Sequence, residues 1–203
     1  MKPVFEFSTI RSGLFSWQGY ESTVKCDCSS SAIVTPSGLI FIDPIPLEEE
    51  ALREMVAESF STPSAVIITN GNHQRDSLRF ARRFGIPVFA PQDSGDDIIA
   101  DSRFVPGESV AGMDTLPLPG FAPGESVLLY DGILIFGDAL LNLEPEGLRL
   151  LPEKYRGDTG LSLRSLPELK NLGPKIILFA HGTPILQNAS EKLGACLARE
   201  TLG

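Results

Sequence analysis

Chemistry in this chain concentrates where apolar runs stop. Ala65-Val66-Ile67-Ile68 runs into the polar stretch Thr69 to Asp76, Ile133 to Phe136 into Gly137-Asp138, and Ile176 to Phe179 into Ala180-His181-Gly182. A fourth run, Leu39 to Ile42, ends in Asp43. Only two histidines are present, His73 and His181, so imidazole chemistry must pass through these stretches. A carboxylate with one or two imidazoles suits a divalent cation with an open position for water. It also suits a metal-free general base, His181 oriented by Asp138. Read locally, His73 caps the helix that follows or points to solvent. It joins Asp138 and His181 as a third metal ligand only if the loop around Gly71 shifts to bring it there. Cys26 and Cys28 offer soft donors, but alternate strand residues sit about 7 Å apart. With no second cysteine cluster to complete a four-ligand site, they read as reduced thiols on or beside a strand. Ser29-Ser30-Ser31 reads as a polar loop. A G-x-S-x-G elbow, a G-x-x-x-x-G-K-[ST] loop and a G-x-G-x-x-G turn are all missing.

The elements that must position these residues are short. Ala32 to Thr35, a turn at Pro36-Ser37-Gly38 and Leu39 to Asp43 form a hairpin with a core strand behind it. An amphipathic helix follows over Leu47 to Glu58, with Glu48, Glu49 and Glu50 favouring its N-terminal dipole. Ala65 to Thr69 is a buried strand, Gln74 to Phe84 a helix ending at Gly85, and Ile86 to Ala90 a strand again. In the second half, Thr115 to Leu118 leads to a Pro-Gly loop. Ser126 to Tyr130 and Ile133 to Phe136 then make a hairpin around Asp131-Gly132, a pair suited to a type I′ turn. Leu161 to Leu172 is helical with a break at Pro167, Lys175 to Phe179 is a strand, and Asn188 caps a last helix reaching Thr201. The segment Leu143 to Gly160 reads as a long excursion beside Asp138.

Composition bounds the rest. The 203 residues fit one domain over 1–203, and the net charge of −9 argues against a nucleic-acid partner. No apolar run reaches the ~20 residues of a membrane span, and the N-terminus lacks a signal-peptide pattern. The expectation is a cytoplasmic protein acting on a small-molecule ligand or substrate, with no membrane partner. A homo-oligomer stays open.

The order of landmarks resembles the metallo-β-lactamase superfamily. Leu39-Ile40-Phe41-Ile42-Asp43 matches its strand ending in Asp. Thr69-Asn70-Gly71-Asn72-His73-Gln74-Arg75 lies where the family has T-H-x-H-x-D-H, and Pro119-Gly120-Phe121-Ala122-Pro123-Gly124 where it has P-G-H-T-P-G. Phe136-Gly137-Asp138-Ala139-Leu140 matches F-x-G-D-x-L, and Ala180-His181-Gly182 the G-H-G strand end. The resemblance implies an α/β fold, a four-layer αβ/βα sandwich, and a metal-dependent hydrolase of esters, thioesters, amides or phosphoesters. It also implies two metals, commonly zinc. The first metal's three histidines correspond to Asn70, Asn72 and Phe121, none of which replaces an imidazole. The second metal's ligands correspond to Gln74, Arg75, Asp138 and His181, of which the last two survive. The expectation is therefore no metal or one divalent cation, zinc by preference, on Asp138, His181 and, if it moves in, His73. Asp138 and His181 are the catalytic candidates. Asp43, Asn70, Asn72, Gln74, Arg75, Asp76 and Phe121 would line or support the site. Arg75 is expected to turn into the second metal's place and pair with Asp138 near ~2.8 Å. The competing reading is a non-catalytic binding or scaffold protein on the same fold.

Overall fold

The structure is a computed structural model that describes residues 1–23 and 25–201. Its first half builds a seven-stranded sheet in simple sequential order. The strands are β1 Ser8–Arg11, β2 Leu14–Glu21, β3 Cys26–Thr35, β4 Gly38–Ile42, β5 Pro63–Ile67, β6 Val88–Pro91 and β7 Ser102–Phe104. Pairing is antiparallel from β1 to β4 and parallel from β4 to β7. The helices α1 Glu49–Ser59 and α2 Ser77–Phe84 supply the first two parallel crossovers. The second half builds a four-stranded sheet from β8 Asp114–Pro117, β9 Ser126–Tyr130, β10 Ile133–Phe136 and β13 Ile176–Phe179, in the order β13-β10-β9-β8. A separate hairpin, β11 Leu140–Leu143 with β12 Gly147–Leu150, precedes α3 Thr159–Ser165, and α4 Ala189–Thr201 follows β13.

Three apolar clusters turn these elements into layers. Ile33, Ile40, Ile42 and Ile67 of the first sheet pack against Leu128, Ile133, Ile135 and Leu178 of the second. Alternation along each strand sends the other residues outward. Phe15, Trp17, Phe41 and Val66 meet Leu52 and Met55 of α1 and Phe80 of α2. On the far side Leu134, Phe136, Ile177 and Phe179 meet Leu193, Cys196 and Leu197 of α4. Helix, sheet, sheet, helix is the four-layer sandwich expected. Within it, the Asp131-Gly132 turn has φ 47° and 73°, as a type I′ hairpin requires.

The structure corrects several local readings. Ser29, Ser30 and Ser31 are buried strand residues of β3, not a loop. Burial is tolerable because Ser29 Oγ donates to Gly182 O at 2.8 Å, while Ser30 Oγ donates to Asp43 O at 2.7 Å and accepts from Ile45 N at 2.8 Å. The helix expected from Gln74 begins only at Ser77, leaving 70–76 free as a site loop. The 143–160 excursion is structured by the β11–β12 hairpin and a 3-10 turn at Glu153–Tyr155. Strands β1 and β2 had no expectation attached to them.

Candidate metal centre

The C-terminal ends of β4, β5, β10 and β13 meet at one edge of the sandwich, and each delivers a polar residue there. Asp43 follows β4 and is 2% exposed. Its carboxylate accepts from Thr69 N at 2.8 Å, from the Thr69 hydroxyl, and from His73 Nδ1 at 2.9 Å. These bonds fold the loop after β5 inward and bury His73. His73 is thus neither an N-cap nor a solvent-facing residue, because the tight Asp43 contact fixes its ring from behind. Its Nε2 lies 3.2 Å from Asp138 Oδ1.

His181, following β13, reaches the same oxygen from the other side, with Nε2 at 3.2 Å. Its Nδ1 is 3.2 Å from the carbonyl of Asp27. Asp138 Oδ2 accepts from Asn72 Nδ2 at 2.8 Å. One donor atom from each of His73, Asp138 and His181 lies within 4.8 Å of the others. Tetrahedral zinc, with bonds of about 2.0–2.2 Å, sets its donors about 3.4 Å apart. The donor set therefore fits one cation, with both imidazoles oriented through Nδ1 as metal-binding histidines usually are.

The electrostatics follow from burial and pairing. Burial opposes a charge on Asp138, but His73 and His181 outweigh it and hold the carboxyl well below the usual range. Asp43 is lowered in the same way, burial being outweighed chiefly by His73. Burial and the Arg75 charge both disfavour protonated His73, yet Asp138 and Asp43 prevail and raise it to about 9. His181 is raised as well, the hydrogen bond to Asp138 overcoming burial.

Arg75 does not pair with Asp138. At φ 38° its backbone turns the side chain toward the strand ends. There Nη1 donates to Ser29 O at 2.7 Å and Asp43 O at 3.0 Å, and Nη2 to Ala180 O at 3.1 Å. Nη2 also lies 3.4 Å from His73 Nε2. His73 takes the place facing Asp138 that Arg75 was expected to fill.

The remaining candidates divide. Asn70 and Asn72 are in the site, Asn70 Nδ2 donating to Glu125 Oε2 at 2.7 Å. Gln74 turns away and brackets the backbone of Ile99, at 2.6 Å and 3.3 Å. Asp76 pairs with Arg79 instead of lining the site. Phe121 is buried in the outer core of the second sheet, its ring 5.7 Å beneath the Arg156 guanidinium. Glu125 had no expectation attached, although it is 2% exposed and bonds Asn70 and, at 2.9 Å, Ala139 N. Burial and the nearby Asp138 charge raise it to about 8. Its one sequence signal is an acid directly before the apolar strand Ser126–Tyr130. Gly137 is required here: a Cβ would lie 2.6 Å from Thr69 Oγ1, 2.7 Å from Asn70 Nδ2 and 2.9 Å from Glu125 Oε1.

A profile of the metallo-beta-lactamase superfamily matches residues 7–199. The chain belongs to the metallo-β-lactamase superfamily. Among solved structures, a metallo-beta-lactamase from Pontibacter korlensis superimposes with TM-score 0.75 at 15% identity, covering 98% of this chain and 99% of that one. A Hirschia baltica metallo-beta-lactamase gives TM-score 0.73 at 17% identity, with 98% of each chain covered. A metallo-beta-lactamase family protein from Thermus thermophilus gives 0.67 at 18%, covering 94% of this chain and 80% of that chain. Among curated proteins no sequence matches. At these identities the superpositions establish the superfamily fold, and the site must speak for the chemistry.

Proposed function

We propose that this protein is a hydrolase of the superfamily working with one divalent cation, zinc by its donor set, held by His73, Asp138 and His181. The observation that carries this reading is the convergence of two imidazole Nε2 atoms on one oxygen of Asp138, each at 3.2 Å. When bound, zinc supplies Lewis acidity and lowers the pKa of a coordinated water. The chain's own residues do the positioning. Asp43 and Thr69 fix the His73 ring, Asn72 fixes Asp138, and the Asp27 carbonyl fixes His181. Three protein ligands leave one position open, which suits an ester, thioester, amide or phosphoester.

A second reading rests on Arg75. Its charge stands 3.4 Å from His73 Nε2 and opposes a cation there. With His73 protonated, two cationic groups balance the carboxylates of Asp43 and Asp138, and the edge is satisfied as a metal-free scaffold. Elemental analysis and calorimetric zinc titration separate the two. The hydrolase reading expects one zinc per chain, lost in Asp138→Ala, and zinc-dependent turnover of an ester or phosphoester panel. Protein that takes up no zinc at micromolar concentrations leaves the scaffold reading. Two tightly held zinc ions per chain would defeat both.

A further inference from the structure

The Cys26-x-Cys28 pair gains in three dimensions the donor it lacks in the sequence. On β3 the two cysteines share a face, as residues two apart in a strand must. Both sulfurs approach one nitrogen: Cys26 Sγ lies 3.5 Å and Cys28 Sγ 3.9 Å from His181 Nδ1. The carbonyl of Asp27 lies against the same group, 3.4 Å from Cys26 Sγ and 3.2 Å from Nδ1. Both thiols are free. Cys28 is buried and Cys26 half-buried, so a small ion can reach the pair from one side.

We propose that Cys26, Cys28 and the Nδ1 atom of His181 form a second metal site, one for a thiophilic closed-shell cation such as Cd(II), Zn(II) or Cu(I). A tetrahedral ion with metal–sulfur bonds of about 2.3 Å and a metal–nitrogen bond of about 2.0 Å sets sulfur and nitrogen about 3.5 Å apart. The Cys26 separation, 3.5 Å, meets that value, and the Cys28 separation, 3.9 Å, needs only a small inward turn of its side chain. Thiolate and imidazole together select soft ions over magnesium or calcium. Two thiolates also cancel the charge of a divalent ion.

The site faces the opposite nitrogen of His181 from the one turned to Asp138, and the proposal does not rest on the hydrolase reading. With Nε2–H donated to Asp138, Nδ1 presents a lone pair to the thiols. A cation on Nε2 needs the reverse tautomer, with Nδ1–H donated to the Asp27 carbonyl. One neutral imidazole serves one ion at a time. Filling the thiol site therefore removes a ligand from the His73–Asp138 centre.

The probe is cadmium added to reduced, metal-free full-length protein. Sulfur-to-cadmium charge-transfer absorption should grow and saturate at one ion per chain. Cys26→Ser should lose the band, and His73→Ala should keep it. Bound cadmium should also shield Cys26 and Cys28 of the wild-type chain from alkylation, read peptide by peptide. That measurement decides the matter even if Cys26→Ser or His73→Ala fails to fold. Absence of the band at equimolar cadmium, or a band unchanged in Cys26→Ser, overturns the proposal. Zinc uptake that survives Asp138→Ala, with the cadmium band present, would sink the hydrolase reading alone. Zinc uptake lost in Asp138→Ala, with no cadmium band, would sink this one alone.

Discussion

At the scale of single residues, Arg75 ties together the strand ends that form the site edge. Its guanidinium satisfies the carbonyls of Ser29, Asp43 and Ala180, which belong to or follow three different strands in two sheets. Hydrogen bonds from a charged donor contribute about 1.5–3 kcal/mol each, and an unsatisfied buried acceptor costs about 1–3 kcal/mol. Arg75→Ala should therefore destabilise the protein by roughly 3 kcal/mol or more, since three acceptors lose one donor. Arg75→Lys should recover only part of the loss, because a single ammonium lacks the planar fork that spans three carbonyls. Urea unfolding of both variants measures this. An Arg75→Ala midpoint equal to that of the wild type would show that water replaces the guanidinium at no cost. Phe121 takes no part in this edge, since it sits in the outer core. Returning a histidine there adds a buried polar ring and no partner ligand, because Asn70 and Asn72 are already committed to Glu125 and Asp138.

At the scale of elements, the β11–β12 hairpin holds the His181 turn. Asn142 N donates to His181 O at 3.2 Å, and Thr183 N donates to Asn142 O at 3.0 Å. Gly182 makes this approach feasible: its φ is 100°, and a Cβ there would stand 2.0 Å from Asn142 O. Gly182→Ala should push hairpin and turn apart and, on the hydrolase reading, lower zinc affinity at least tenfold by the usual order for lost ligand support, ~10–100-fold. Calorimetry on the folded variant checks it, and unchanged affinity would show that the hairpin does not position His181. Much of this scale was legible in the sequence. The strands Leu39–Ile42, Ser126–Tyr130 and Ile133–Phe136 announced themselves as apolar runs with turn residues between them. So did Asp43 and Asp138 after two of them, and His181 after Ile176–Phe179. Three features were not legible, each for a physical reason. The serines of β3 look like a loop until their backbone partners, brought from residues far along the chain, are known. His73 looks like a helix cap because the bond that buries it comes from Asp43, thirty residues away. Arg75 follows the direction set by a positive φ, which no pattern of residue types at that position discloses.

At the scale of the whole molecule, the site edge is a polar seam between the two sheets. His73 spans Asp43 after β4 and Asp138 after β10, and Glu125 before β9 holds Asn70 after β5. Stability should therefore depend on protons. Glu125 is raised from 4.5 to about 8, so the folded state binds its proton more tightly than the unfolded chain does. The stabilisation from that proton is fully present below pH 4.5 and is lost as pH rises through about 8. His73, raised from 6.5 to about 9, has the same sign: its contribution is full below 6.5 and fades through 9. Asp43 and Asp138 are lowered, so theirs holds above 3.8 and is lost as pH falls. The net charge of −9 adds self-repulsion on the alkaline side. Maximum stability is thus expected on the acid side of neutrality, with a decline that begins above pH 4.5 through Glu125, steepens above 6.5 as His73 joins it, and ends near 9. Glu125→Gln removes the titrating carboxyl, though its amide leaves one of the donors, Asn70 Nδ2 or Ala139 N, without an acceptor. The variant should melt lower than wild type at pH 5, and its melting temperature should fall less steeply from pH 6 to pH 9. Thermal melts of metal-free protein across that range decide the point: equal slopes in the two proteins would mean that Glu125 is already ionised in the fold and that the seam tolerates its charge.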